Sequence, residues 1–231
     1  MEMKIPFSFA GAALVVCLLF GCSTRSISDA GFYHSSLYVG EISEADVVGT
    51  ADGPVSESDI QDALKSNRAP IKLSSGERVL VIQSGASTPD QPLLAELGSR
   101  FNPVPFTGVP SKENRSAYGK SLRLTAARGG ISRILCCWGV LESARHENEG
   151  KIISWIPIAG QMVPDEKQQM RIRIRAILMD VETGRWTMYT PSPTEQTALS
   201  ASVNRQSSDQ KQVDRLKAKA YLDLATLLAT P

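Results

Sequence analysis

The chain of 231 residues is 42% hydrophobic and 21% charged, a composition typical of a globular protein and not of a disordered or collagen-like one. Its 25 Lys and Arg against 24 Asp and Glu give a net charge of +1, so no global field favours a nucleic acid as partner. The chain has only two histidines and four cysteines, which leaves most metal sites and most histidine-based catalytic sites without their residues. We therefore expect no metal, no cofactor and no nucleic-acid partner.

The amino terminus has the layout of a signal peptide. The uncharged stretch 5–21 follows Lys4 and precedes a polar segment, and it is shorter than the roughly 20 apolar residues of a membrane-spanning helix. Leu19-Phe20-Gly21-Cys22 resembles the lipobox of bacterial lipoproteins, whose cysteine is lipidated and becomes the first residue after cleavage. The resemblance implies a membrane anchor at Cys22, and Ser23 favours the outer membrane, facing the periplasm, over the inner membrane. A simple cleaved signal and an uncleaved anchor are the alternatives.

The remaining chain divides into a tether and one α/β domain. Residues 22–55 are rich in Ser, Gly and Asp without a sustained hydrophobic period, which predicts a flexible tether that packs partly onto the domain. At Ser56 a helical pattern begins, with Ile60 and Leu64 on one face, and it leads into the core. We therefore predict a signal peptide over 1–21, a lipidated tether over 22–55 and an α/β domain with a leading helix over 56–231.

Two strand-to-helix units open the domain. The apolar, β-branched run 78–82 predicts a strand that is buried on both faces. A capping box that starts at Thr88 predicts the beginning of the following helix, which ends before Pro105. The segment 106–109 then predicts a short strand, and 115–128 predicts a second helix that ends at a glycine pair. This alternation is typical of a parallel α/β core.

Three further strands and a closing helix complete the domain. The apolar run 134–141 is too continuous for an edge strand, so it predicts a central one. The alternating segment 171–179 and the turn at 182–184 predict an antiparallel hairpin, after which Pro191 ends the sheet. A last helix begins with a cap at 207–210. The predicted fold is a single α/β sandwich with a mixed sheet, in the order β-α-β-α-β-β-β-α.

The loop after the first strand is the candidate ligand loop, because α/β proteins usually bind ligands at the carboxyl ends of buried strands. Its residues of interest are Ser84, Gly85, Ser87 and Thr88. A hydrolase that used Ser84 would need a G-x-S-x-G motif and a nearby histidine, but the motif is absent, and His34 and His146 lie in the tether and in a charged turn. A turn serine that satisfies backbone donors and a helix start that attracts a small anion are the alternatives.

Charged and sulfur-bearing side chains on the predicted strands have structural interpretations beside the functional ones. Arg171, Arg173 and Arg175 share one strand face. They form either an outward face paired with carboxylates or a binding surface for an anionic polymer, a lipid headgroup or an acidic partner. The adjacent Cys136 and Cys137 point to opposite faces of their strand, so we interpret them as small core residues and not as a metal or redox site.

The stretch 150–164 is unusually apolar for a connection between two strands. It contains Trp155, Ile156 and Ile158, and its two prolines argue against a regular central strand or helix. It is either an arm folded back onto the core or an exposed patch that contacts a partner or a membrane.

The lipobox at Cys22, the central ILCCWGVLE strand, the hairpin and the closing helix together resemble bacterial envelope lipoproteins. Over 73–228 the order of elements is similar to the amino-terminal α/β domain of the Tol translocation β-propeller protein and to domains of the curli secretion and penicillin-binding-protein activator lipoproteins. The most suggestive short match is the D-x-x-T-G-x-W pattern formed by Asp180, Thr183, Gly184 and Trp186. The resemblance implies a domain that binds other envelope proteins or assembles, with no catalytic residues to carry over.

These observations predict a non-enzymatic outer-membrane lipoprotein that faces the periplasm and acts as a protein interaction or envelope assembly module. Its expected partners are the membrane, through the lipid on Cys22, and another envelope protein or a second copy of the chain. The alternatives are an envelope hydrolase that acts from the Ser84 loop and a small-anion-binding protein.

Overall fold

The computed structural model describes residues 26–28, 40–49, 54–66, 69–107, 115, 117–147, 152–157, 167–199 and 205–229. The helices among these residues are α1 (Glu44–Val48), α2 (Glu57–Ser66), α3 (Gln91–Gly98), α4 (Tyr118–Arg128) and α5 (Arg205–Leu228). The strands are β1 (Arg78–Gln83), β2 (Asn102–Pro105), β3 (Arg133–Glu147), β4 (Ile152–Pro157), β5 (Lys167–Asp180), β6 (Trp186–Tyr189) and β7 (Thr194–Leu199). The predicted α/β sandwich is confirmed, with β4 and β7 as strands that the sequence pattern did not predict.

The described strands form one mixed sheet with the order β2-β1-β3-β5-β6, in which β4 also pairs with β3 and β7 with β5. β1 is parallel to β2 and β3, and the other pairs are antiparallel. We call β2, β1, β6 and the paired segments 133–137 and 176–180 the five-stranded half. The four-stranded half consists of β4, β7 and the segments 142–147 and 167–172. The long strands β3 and β5 therefore run through both halves.

Both faces of the five-stranded half are buried. Leu135 and Cys137 of β3 pack on one face with α3 and α5, and Ile134 and Cys136 pack on the other face with α1 and α4. Side chains alternate across a strand, so the two cysteines enter different cores, and their interpretation as core residues is confirmed. Burial raises the pKa of Cys137 to about 12 and raises that of Cys136 as well, so both thiols stay protonated at neutral pH.

Reciprocal capping boxes open two of the helices. The Ser43 hydroxyl accepts a hydrogen bond from the Asp46 N–H at 3.1 Å, and the Asp46 carboxylate accepts one from the Ser43 N–H at 2.9 Å, which opens α1. Ser56 and Asp59 make the same pair of bonds at the start of α2, where the sequence predicts a helix. Each box satisfies N–H groups that would otherwise lack an intrahelical partner.

The start of α3 differs from the prediction. The helix begins after Asp90, whose side chain makes no capping bond, so the capping box predicted at Thr88 is wrong. The Asp90 carboxylate instead accepts hydrogen bonds from Lys217 Nζ at 3.2 Å, Tyr221 OH at 3.0 Å and Gln83 Nε2 at 3.1 Å. Asp90 and Lys217 are both buried, and a buried charge is stable only when it is paired and hydrogen-bonded. The Asp90 side chain therefore does not cap α3 but connects the start of this helix to β1 and α5 through hydrogen bonds.

A proline-containing edge strand lies just before 106–109, where the sequence predicts a strand; residues 106–107 belong to no strand, and 108–109 lie outside the described residues. The observed strand, β2, spans 102–105 at the edge of the sheet. The N–H groups of Asn102 and Phe106 donate to carbonyls of the β1 segment at 3.0 and 2.9 Å. The two prolines of β2 alternate with these donors, so their missing N–H groups fall on the open edge, where proline is tolerated.

The remaining corrections also concern the margins of the fold. The first part of the stretch 150–164 is the regular strand β4, which lies at an edge and ends at Pro157. The sheet does not end at Pro191, because β7 follows and pairs with the first half of β5. The helix α5 begins at Arg205, so the predicted cap at 207–210 lies inside it. Edge pairing depends on a free edge elsewhere in the sheet, which local pattern does not report.

Candidate binding cleft at the sheet junction

A cleft of about 250 Å³ lies where the two halves of the sheet meet. β1 pairs with β3 as far as Cys137, and β4 pairs with it from Glu142, so the stretch 138–141 lies between these two partners. The cleft is lined by Ser26, Glu41, Ser84, Trp138, Gly139, Val140, Pro157, Arg173 and Arg175. Three residues that the sequence singled out separately, Ser84, Arg173 and Arg175, therefore meet at one site.

The segment 26–28 of the predicted tether packs against β3 at this junction. The Ile27 N–H donates to the Gly139 carbonyl at 3.0 Å, and the Ile27 side chain is buried in the core cluster that includes α5. A Cβ atom on Gly139 would lie 2.5 Å from Cγ2 of Ile27, so the glycine leaves the room that the isoleucine occupies. A short part of the tether is thus built into the folded domain.

Ser84 connects a second tether segment, 40–43, to the end of β1. Its hydroxyl accepts a hydrogen bond from the Ile42 N–H at 3.0 Å, and its own N–H donates to the Cys137 carbonyl at 2.9 Å. The indole N–H of Trp138 donates to the Ile42 carbonyl. Ser84 is therefore placed as a buried turn serine that satisfies a backbone donor.

The rest of the candidate ligand loop lies outside the lining of the cleft. Gly85 has a φ of 83°, which permits the turn after β1. Ser87 is partly buried and Thr88 is exposed. The amino-terminal end of α3, where the helix dipole is positive, was expected near Thr88. The Asp90 carboxylate already lies at this end, in the place where an anion was expected. Ser84 is thus the member of this predicted loop that lines the cleft.

The histidines and the apolar arm are described only in part. His146 lies in β3, where a charged turn was predicted, and is paired with the backbone of β4. Trp155 and Ile156 belong to β4. The side chains of these three residues, together with His34 and Ile158, lie outside the described part of the chain.

The three arginines of β5 are ion-paired with carboxylates. Arg171 and Arg173 both bond to Glu142 of β3, with Arg171 Nε 2.5 Å from Glu142 Oε2. Arg175 Nη1 lies 2.7 Å from Glu44 Oε1 at the start of α1. The Glu142 side chain is 2% exposed, whereas those of Arg173 and Arg175 are 53% and 52% exposed. Two half-exposed guanidinium groups therefore line the cleft, one paired with the buried Glu142 and the other with the partly exposed Glu44.

Glu41 lines the cleft and carries an unsatisfied buried acceptor. Its Oε1 atom is buried and has no hydrogen-bond partner among the described residues. Burial raises the pKa of Glu41, and a hydrogen bond from the Ser26 N–H partly offsets that rise. Buried carboxylate oxygens are nearly always hydrogen-bonded, so this oxygen is an exception among the described residues.

The lining defines what the cleft can bind. Guanidinium groups bind carboxylates or phosphates through parallel hydrogen bonds, and Trp138 offers an apolar surface. In the described part of the chain, no three His, Cys, Asp or Glu residues are grouped so that they could hold a metal ion. The helices described here include none with the length and apolar character to cross a membrane.

Sequence reasoning missed several residues of this site. Glu41 and Ser26 lie in the tether, where no periodic pattern marks them. Gly139 and Glu142 carried a signal, because a glycine and a carboxylate interrupt the apolar run of a predicted central strand. Connecting Glu142 to the arginines also requires the strand register that places it opposite Arg171, and local pattern does not give that register.

Comparison with known proteins finds distant likenesses and one family. A PelC dodecamer from Paraburkholderia phytofirmans is 12% identical, with 71% of this chain and 96% of that chain covered and a TM-score of 0.32. A minor lipoprotein from Acinetobacter baumannii is 11% identical, with 69% of this chain and 100% of that chain covered and a TM-score of 0.36. No curated protein matches the chain. The family model described as YafT bacterial lipoprotein matches residues 43–230, and the chain therefore belongs to the YafT bacterial lipoprotein family.

Proposed function

We propose that this lipoprotein is anchored through Cys22 in the outer membrane, faces the periplasm and works as a non-enzymatic interaction or assembly module. The observation that carries the proposal is the ladder face, which consists of Glu142, Arg171, Arg173 and Arg175 on the four-stranded half and the junction. Membership in a bacterial lipoprotein family supports an envelope location. A relation to the Tol translocation, curli secretion and penicillin-binding-protein activator domains belongs to the same proposal.

Anchoring would hold the ladder face near the membrane. Ser26 lines the cleft beside Arg173 and Arg175, and it follows Cys22 by four positions. An extended chain spans at most about 3.6 Å per residue, so the Cα atom of Cys22 lies within about 14 Å of that of Ser26. A lipid on Cys22 would therefore keep the cleft close to the bilayer surface and not at the end of a long tether.

The ladder face suits a polar, partly acidic partner. The buried apolar cluster on this face of the sheet includes Trp138, and the next β3 residues on the same face are Val140 and Glu142. Arginine is enriched at protein interfaces and binds carboxylates bidentately, so half-exposed arginines favour a partner that carries carboxylates. The proposed partner is another envelope protein or a second copy of this chain.

The placement of Ser84 supports a non-enzymatic role, since its hydroxyl already bonds to the Ile42 backbone. Labelling with a fluorophosphonate probe tests this part of the proposal. We expect no labelling of the wild-type protein. Labelling that disappears in Ser84→Ala would instead support the hydrolase.

Photo-crosslinking in cells tests the ladder face. A benzoylphenylalanine residue in place of Arg173 or Arg175 should give a discrete adduct with a partner. The same residue in place of Lys120, which is exposed on α4 on the covered half, should give none. Adducts from all three positions, or from none, would contradict an interaction at the ladder face.

A separate experiment tests the anchor. Cells that express the wild-type chain and are fed labelled palmitate should yield a labelled protein in the outer-membrane fraction. Cys22→Ser should lose the label and leave that fraction. An unlabelled wild-type protein, or a variant that stays in the outer membrane, would refute the anchor without bearing on the crosslinks.

A further inference from the structure

We propose that the amphipathic helix α2 of one copy docks onto an apolar patch of a second copy, which consists of Trp186 and Met188 on the edge strand β6. Each copy carries both surfaces, so the contact is head-to-tail and joins copies into a ring or a chain. The patch lies on the five-stranded half, so this contact goes beyond the proposed role of the ladder face and does not use it.

The helix α2 presents its apolar side to solvent. Every residue from 54 to 65 is exposed, and Ile60 and Leu64 are 45% and 62% exposed. These two residues lie one turn apart on one side of α2, while Asp62 and Lys65 pair with each other on the opposite side. Helices below about 12–15 residues are marginal in water, because most helical stability comes from packing of the apolar side. The ten residues of α2 therefore favour a surface that covers them.

The patch on β6 is a second exposed apolar surface. Trp186 and Met188 are 48% and 37% exposed. Their partners on β5 are Met179 and Ile177, which are both buried in the core cluster under α4, so the patch continues this core to the edge of the sheet. Tryptophan and methionine are enriched at protein interfaces. The helix and the patch are both exposed in one copy, so a chain does not cover its own patch with its own α2.

The two surfaces carry opposite charge. The exposed charged residues of α2 are three acids and one base: Glu57, Asp59, Asp62 and Lys65. Beside the patch, α4 and the hairpin 176–189 carry four basic and two acidic residues: Lys120, Arg123, Arg128 and Arg185 with Asp180 and Glu182. The Arg123 guanidinium donates to the carbonyls of Val181 and Glu182 at 2.8 and 2.7 Å, which holds a positive charge beside the turn into β6. Opposite charges favour the approach of α2 to this surface.

The same charges argue against two other occupants of the α2 surface. Contact between two α2 helices would bring Glu57 and Asp59 close to their own copies, and like charges oppose such a pair. A bilayer is also disfavoured, because helices that lie on membranes are rich in basic residues that attract anionic lipids, whereas α2 has a net negative charge. A second copy offers an apolar patch and a positive charge together.

Sedimentation velocity on the full chain in density-matched detergent tests the contact. The mass of the wild-type particle should rise with protein concentration over an about hundredfold range, as mass action requires. Leu64→Asp damages the helix surface and Trp186→Asp damages the patch, so each variant should stay a single copy at every concentration. Leu222→Asp changes a leucine on α5 that is 43% exposed, away from both surfaces, and should behave as the wild type does.

A mixture of the two variants tests the head-to-tail geometry. Leu64→Asp keeps an intact patch and Trp186→Asp keeps an intact helix, so an equal mixture should form a dimer and nothing larger. Trp186→Asp that still dimerises alone would mean that two α2 helices pair, which would overturn the proposal. Circular dichroism checks the fold, and Met188→Glu takes the place of Trp186→Asp if that variant is unfolded.

Three further results would overturn the contact: a wild-type chain that stays a single copy throughout, a mixture of variants that stays monomeric, or self-association that neither variant weakens. The last result would place a contact between copies on another surface. Crosslinks from Arg173 and Arg175 can be read in the Leu64→Asp variant, which leaves the ladder face unchanged. Their loss would count against the proposed function alone, and a monomeric wild type would count against the α2 contact alone.

Discussion

The two halves of the sheet share the same long strands but bury them differently. In β5 the segment 171–175 alternates arginine with isoleucine, and its isoleucines are buried whereas Arg173 and Arg175 are exposed. In the next segment, 176–179, every residue is buried. The change occurs where α1 and α4 begin to cover the second face of the sheet. Within one strand, alternating polar and apolar residues therefore indicate that one face of the sheet is covered, and a continuous apolar run indicates that both faces are covered.

The largest expected effect on stability comes from a comparison of a buried and an exposed ion pair, both made by lysines of α5. In the five-stranded half, Lys217→Met leaves the buried Asp90 without its cation, so we expect the free energy of unfolding in urea to fall by about 3–5 kcal/mol. Lys219→Met breaks a pair with Asp223 that has the same 3.2 Å separation but is exposed, and should cost less than about 1 kcal/mol. Similar losses in the two variants would mean that burial does not control the effect.

The next prediction concerns the ladder of the four-stranded half. Glu142→Gln keeps the size of a buried side chain but removes the charge that Arg171 and Arg173 share, so unfolding in urea should become easier by about 1.5–3 kcal/mol. Glu44→Gln removes the more exposed partner of Arg175 and should cost less than about 1 kcal/mol. A negligible loss for Glu142→Gln would show that this face gains no stability from its ladder.

The junction between the halves gives a smaller effect. Gly139→Ala brings a Cβ atom within 2.5 Å of Ile27, and such overpacking should lower stability by about 1–3 kcal/mol in denaturant titrations. Gly98→Ala is the control, since its nearest neighbour would lie 3.9 Å away. The double variant Gly139→Ala with Ile27→Ala should show a favourable coupling between the two sites. Strictly additive losses would place the segment 26–28 elsewhere.

The smallest expected effect leaves stability unchanged and concerns the two core thiols. Because burial raises the pKa values of Cys136 and Cys137, both remain protonated at pH 8 and a maleimide should modify neither of them in the folded protein. In urea the same reagent should modify both cysteines, as mass spectrometry of their shared peptide would show. Rapid labelling without urea would indicate that the five-stranded half opens on its own.

Much of the centre of the fold could be predicted, because central strands and capped helices carry their own signals. The run 78–82 and the turn at 182–184 predicted β1 and the hairpin correctly. The edge strands β2 and β4 were missed, because a proline-containing segment becomes a strand only where another strand offers a free edge. The pattern of α2 correctly predicted a helix, yet Ile60 and Leu64 are 45% and 62% exposed, since an amphipathic pattern does not say whether the described domain covers it.

By itself, the sequence determined the alternating α/β order, the start of the helix α2 and the core positions of the two cysteines. These features depend on residues that are near one another in the chain, so local pattern is enough to specify them. Only the tertiary structure decided that tether residues such as Ser26 and Glu41 line one cleft with Ser84, Arg173 and Arg175. That assembly depends on strand register and on the packing of distant segments into a gap at Gly139, and these follow from the whole fold and not from any one stretch of it.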